Sequence, residues 1–137
     1  MIVLGVRETH CATAAVLNDG EIVGGETNPW LQAGLVFEWV KDHLTYDYPD
    51  MADRGVRRTF ARGRGDCGEF AHAFIALMRT LGVPARLVTA NWYQGGGHAW
   101  AEFYLEPYGW IPTDPSMGQV LKNGLNGQLT PQQVDEF

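Results

Sequence analysis

The spacing of apolar and polar positions divides the chain into strand-like and helix-like stretches. Residues 2–6 (IVLGV) and 12–17 (ATAAVL) are short apolar runs of strand character, and Asn18-Asp19-Gly20 turns the second into EIVGG. Leu31, Leu35 and Trp39 then recur at i, i+4 and i+8, with Val36, Val40 and Leu44 as an adjacent row, which predicts a helix with a broad apolar stripe. Asn28 supplies its N-cap and Pro29 its first position, and it is expected to end near Tyr46. Residues 47–65, rich in Gly, Asp, Pro and Arg, read as a long loop with one short helix around 56–60. The clearest helix is predicted over 69–81, with Phe70, Phe74, Leu77 and Leu81 on one face; Gly82 ends it and Pro84 prevents its return. Residues 85–90, 98–105 and 109–113 read as strands. Beyond Ser116 the chain is polar and turn-rich, although Thr130-Pro131-Gln132-Gln133 could open a short helix.

Composition narrows the function classes. At 137 residues, 45% hydrophobic and 19% charged, the chain fits one globular domain with a useful core. A formal net charge of -6 argues against nucleic acid as a partner, because binding phosphates needs a basic surface. No apolar run approaches the roughly 20 residues that span a bilayer, so no membrane partner is expected. The opening MIVLGVRETH lacks a basic flank and a long apolar region, and so does not read as a signal peptide. Two cysteines make no disulfide framework, and a reducing cytoplasm is the expected location. Oligomeric state is not readable.

One of those cysteines sits where its chemistry changes. In RGRGDCGEFAHAF, Asp66 is a good N-cap and Glu69 lies three residues on, the form of a capping box. Cys67 falls at the first helical position, where the helix dipole and free backbone N–H groups favour a thiolate, the nucleophilic form. Gly65 and Gly68 flank the pair and leave room for a substrate to approach. Taken alone, Cys67 could equally be a small residue filling a gap.

A second constellation lies downstream. In GGGHAWAEFY, strand alternation puts His98, Trp100, Glu102 and Tyr104 on one face, and the small apolar set Ala99, Ala101, Phe103 and Leu105 on the other. Glu106-Pro107-Tyr108-Gly109 turns the chain back into Trp110-Ile111-Pro112-Thr113-Asp114. Opposed positions in such a hairpin sum to about 212 to 215. A sum of 212 would place Asp114 directly across from His98 on one face. Singly, His98 could be a solvated strand residue and Asp114 a turn former before Pro115. Together with Cys67 they make a nucleophile, a base and an orienting acid.

Over about Leu31 to Ser116 the chain resembles the transglutaminase-like superfamily, through GDCGEFAHAFIALMRTLGVPAR, GHAWAEFY and YGWIPTDPS in the family's order. The resemblance implies an α+β, papain-like fold, with the cysteine helix packed on an antiparallel sheet. It implies a Cys-His-Asp triad: Cys67 the nucleophile, His98 the general base and acid, Asp114 the residue that orients the imidazole. On this basis the chain divides into an N-terminal strand extension (1–25), a catalytic core (26–116) and a C-terminal tail (117–137). Residues 1–25 also resemble the opening hairpin of carbamoyltransferase domains. That fold needs far more chain than remains, so extra strands at the sheet edge are the expected role.

For the oxyanion, the Cys67 backbone N–H is available, and family members add a side-chain donor from the preceding segment, for which Tyr46 and Tyr48 are the candidates. Trp100 and Trp110 wall the site or fill the core, the core being favoured. Glu102 reads as a solvated strand residue and His72 as a surface residue. His10 and Cys11, with Cys67 and His98, could suggest zinc, but the set lacks the close ligand pairs of a structural site. No metal or cofactor is expected. The implied reaction is acyl transfer through a thioester, most simply hydrolysis of an amide or peptide bond in a peptide, protein or other amide substrate. Transfer to an amine and a non-catalytic binding module are the alternatives.

Overall fold

The structure, a computed structural model, describes residues 22–93 and 95–124. The strands expected at 2–6 and 12–17, the carbamoyltransferase-like opening, His10 and Cys11, and the helix signal at 130–133 lie outside the described residues.

Asn28 caps helix α1 (Pro29–His43), its side chain accepting from the Trp30 N–H. Of the two apolar rows on α1, the Val36, Val40, Leu44 row is the buried one, at 0%, 0% and 3% exposure, whereas Leu31 and Leu35 remain 50% and 42% exposed. The core contacts a narrower stripe than the sequence pattern offers. The helix also stops at His43, because the chain must extend to form β1 (Thr45–Tyr46).

The segment expected to be a long loop with one short helix around 56–60 holds that helix and further order around it. A 3-10 turn (Met51–Asp53) leads into α2 (Val56–Arg62), which Gly63 closes in the left-handed conformation with φ 65°. Strand β2 (Arg64–Gly65) then pairs in parallel with β1, Tyr46 opposite Gly65.

Helix α3 (Cys67–Thr80) is the centre of the fold. Phe70, Phe74 and Leu77 are fully buried, and burying each contributes roughly 1.5–3 kcal/mol. They meet α1 on one side and, on the other, the antiparallel sheet β3 (Ala85–Asn91), β4 (Gly97–Leu105), β5 (Gly109–Thr113), in that order. Ala101 and Phe103 are buried against α3, as alternation requires, at 0% and 3% exposure. The fold is therefore the expected α+β, papain-like arrangement of a cysteine-bearing helix on an antiparallel sheet.

Two expectations need correction. The β4–β5 register pairs Ala101 with Thr113 and Leu105 with Gly109, a sum of 214, so His98 and Asp114 are not directly opposed. The turn occupies residues 106–108, one position later than a sum of 212 needs. The polar stretch after Ser116 is not simply turn-rich: Pro115–Gly124 form helix α4. Asp114 caps it, accepting from the Met117 N–H at 3.0 Å, and Pro115 sits at its first position.

Candidate active site

Cys67 is the first residue of α3, half-buried, with a free thiol. The cap on that helix is the Asp66 side chain, whose Oδ1 accepts from the Gly68 N–H at 2.9 Å. Gly65 is required by its neighbours rather than by a substrate. A Cβ there would lie 2.3 Å from the Cβ of Glu69, whose side chain folds back over it. Gly68 likewise faces Asp66 Oδ1, at 3.3 Å from where its Cβ would be. The two glycines thus serve the cap, which revises the open approach expected from sequence.

His98 and Asp114 meet despite the register. Asp114 lies one residue past β5 and projects diagonally, so that its Oδ2 comes 2.5 Å from His98 Nε2. Its other oxygen, Oδ1, accepts from Ser116 Oγ at 2.7 Å and from the Met117 N–H. One carboxylate thus caps α4 and contacts the imidazole. Nε2 is thus the ring nitrogen that faces the carboxylate.

Aromatic rings flank the imidazole. Trp100 stacks at 6.0 Å on one side and Trp92 at 6.2 Å on another. Trp100 also lines a groove of about 600 Å³ with Asp114, Trp30, Phe37 and Met117. Trp110, expected in the core, is 38% exposed: the Arg86 guanidinium lies 4.0 Å over its ring and Tyr104 meets it edge-on. Glu102 is not simply solvated, since Arg86 donates to it at 2.8 Å. His72 is exposed, as expected.

The two tyrosines separate. Pairing of β1 with β2 sets Tyr46 beside Gly65, two residues before the thiol. Burial, a hydrogen bond with Tyr48 and the electrostatic influence of nearby Cys67 and Asp66 all raise the Tyr46 hydroxyl well above its ordinary value, so it stays a proton donor. Tyr48 is 78% exposed and meets Tyr46 edge-on at 5.8 Å.

Three contributors escaped the sequence reading. Trp92 shares the His98 face because Ala90 pairs with His98, which puts position 92 on the diagonal; that register was the missing signal. Gln119 is buried at 7% exposure; its amide donates to the Lys41 carbonyl at 2.6 Å and to the Leu44 carbonyl, and its oxygen accepts from the Tyr46 N–H at 2.6 Å. It ties the helix capped by Asp114 to the strand carrying Tyr46. Arg54 donates from one guanidinium to Asp66 Oδ2 at 2.7 Å and to Glu69 Oε2 at 2.9 Å. Burial pushes the Asp66 carboxyl up, but the bonds from Arg54, Glu69 and the Gly68 N–H outweigh it and hold it below the usual carboxylate value. Burial and the hydrogen bond with Asp66 raise Glu69. No group of three or more His, Cys, Asp or Glu among the described residues could hold a metal ion.

The candidate site thus comprises a cysteine at a helix start, a histidine on the sheet packed against that helix and an aspartate just past the sheet that contacts the histidine. Residues 19–115 match the transglutaminase-like superfamily, and the chain belongs to it. An uncharacterized protein of Haemophilus influenzae is 30% identical over 145 residues, covering 80% of this chain and 39% of its own length. A protein-glutamine gamma-glutamyltransferase of Pseudomonas aeruginosa is 28% identical over 87 residues, covering 53% of this chain and 11% of its own. The chain thus spans about two fifths or less of these curated relatives. Among solved structures, a candidate cysteine protease of Cytophaga hutchinsonii superposes with a TM-score of 0.66 at 22% identity, over 84% of this chain and 43% of that one. The periplasmic domain of TgpA from Pseudomonas aeruginosa superposes with 0.62 at 20% identity, over 99% and 49%. Both structures share the fold.

Proposed function

We propose that this chain carries a cysteine acyl-transfer site in which Cys67 attacks an amide or peptide carbonyl and water resolves the thioester. The observation that carries this reading is the 2.5 Å contact of His98 Nε2 with Asp114 Oδ2, on a strand packed against the helix that Cys67 begins. In the proposed cycle Asp114 fixes the imidazole with its proton on Nε2, so that Nδ1 takes the proton from the Cys67 thiol. The thiolate adds to the acyl carbon, and the oxyanion is met by the Cys67 N–H and the Tyr46 hydroxyl. His98 then gives its proton to the leaving amine, which departs as the thioester forms. A water, deprotonated by His98, cleaves the thioester and restores the thiol. Trp92 and Trp100 would wall the acyl group. The substrate class is a peptide, protein or other amide.

Transfer to an amine shares the first half of this cycle, and the similarity to a protein-glutamine gamma-glutamyltransferase favours it as the second reading. A fast activated ester with a large excess of a small primary amine separates the two. Hydrolysis predicts free acid as the main product and little amide. Predominant amide, with a gain in turnover rate, would replace the hydrolase reading by the transferase one. We keep cytoplasmic location as a proposal, motivated by the free Cys67 thiol; recovery in a periplasmic fraction would overturn it.

A further inference from the structure

We propose that Arg54 is a positioning residue for Cys67, clamping the two carboxylates that flank the thiol and cancelling the negative charge they would otherwise set beside it. The inference rests on the reading of Cys67 as nucleophile. Cys67 is bracketed in sequence by Asp66 and, two residues on, by Glu69, whose side chains are only 12% and 5% exposed. Two carboxylates at the mouth of a helix oppose a thiolate, undoing what the helix dipole offers. Arg54 enters from the loop between the 3-10 turn and α2 and takes one oxygen of each carboxylate with a different nitrogen of the same guanidinium. This fork fits arginine and not the single ammonium of lysine.

The geometry leaves little slack. Asp66 Oδ1 is committed to the Gly68 N–H, so its other oxygen is the one Arg54 takes. Glu69 reaches Arg54 by lying back over Gly65, where no Cβ obstructs it. Gly65 is in turn paired with Tyr46, so the clamp joins the helix start, the β1–β2 pair and the loop bearing Arg54. The groups acting on one another here are Arg54, Asp66, Glu69, Cys67 and Tyr46. Asp66 is held below its ordinary carboxylate value and Glu69 above its own, and one guanidinium faces both. The cation offsets carboxylate charge beside the thiol, so that the helix start keeps its benefit for a thiolate.

The test is the second-order rate of iodoacetamide alkylation at pH 7, assigned to Cys67 by peptide mass because Cys11 is the chain's other thiol. Wild type is compared with Arg54→Met and Arg54→Lys, with circular dichroism and melting alongside. Removing one charge at this range, after solvent screening, should slow alkylation of folded Arg54→Met by on the order of tenfold. Arg54→Lys keeps the charge without the fork and should alkylate about threefold more slowly than wild type. A wild-type rate in Arg54→Met overturns the proposal, as does an equal loss in both variants. Should Arg54→Met fail to fold, Arg54→Lys decides: a modest slowing supports the clamp, and an unchanged rate overturns it. A wild type that alkylates with this contrast but never turns over an acyl ester would defeat the acyl-transfer reading and leave the clamp standing.

Discussion

Asp114→Asn separates the two duties of one carboxylate. In the wild type Oδ1 caps α4 and Oδ2 holds His98. An asparagine has one oxygen for both tasks. Asparagine is as good an N-cap as aspartate, so with its oxygen left on the Met117 N–H the helix start should lose well under about 1 kcal/mol. A fall of a few degrees in melting temperature is the most that follows. The cost falls on the imidazole. The amide NH2 now faces Nε2, which must become an acceptor, so the ring proton moves to Nδ1, where the base should be. In a triad of this kind the wrong tautomer slows turnover by up to about 10⁴-fold, roughly 5 kcal/mol of barrier. The assay is turnover of an activated ester beside thermal melting of the same preparation. Asp114→Ala is the control, since it loses the cap as well and should cost about 1 kcal/mol of stability. Near-wild-type turnover in the Asn variant would refute the orienting role. So would an activity loss that tracks a large loss of melting temperature.

Two further outcomes follow from buried polar groups. Gln119→Leu removes three hydrogen bonds and strands the Lys41 and Leu44 carbonyls and the Tyr46 N–H; at roughly 1–3 kcal/mol per buried unpaired group, chemical denaturation should show a loss of several kcal/mol, and a loss below about 1 kcal/mol would contradict the geometry. Glu69 has a raised folded value, so its stabilising contribution is present at low pH and is lost as pH rises through that value, whereas Gln does not ionise. Melting across the pH range should therefore show Glu69→Gln gaining on wild type as pH rises from acid to neutral, and a gain that shrinks with rising pH would contradict it.

Much of the site was legible because its signals are local. An N-cap followed by a cysteine and a helical apolar period places Cys67 from a dozen residues, and strand alternation assigns the His98 face from eight. The register was harder. A three-residue turn at 105–107 and one at 106–108 leave much the same sequence trace, and the contact survived the slip because a diagonal neighbour is still within reach of an aspartate side chain. Contributors that act across long sequence separations left no such trace. Gln119 meets β1 from 73 residues away, and the β1–β2 pair is two residues long on each side. Arg54 stands in a stretch with several arginines, with nothing local to mark it as the one that bridges Asp66 and Glu69. Leu31 and Leu35 illustrate the opposite failure: their period is genuine, but the described core meets the neighbouring row.

The central claim is that Cys67 forms the thioester. Rapid-quench intact mass spectrometry with an activated ester tests it directly. Wild type should gain one acyl mass within the first turnover, mapping to Cys67 and decaying as free acid appears, while Cys67→Ala should gain none and release acid no faster than buffer. An acyl adduct that maps elsewhere and persists in Cys67→Ala, or catalysed turnover in that variant, would contradict the account.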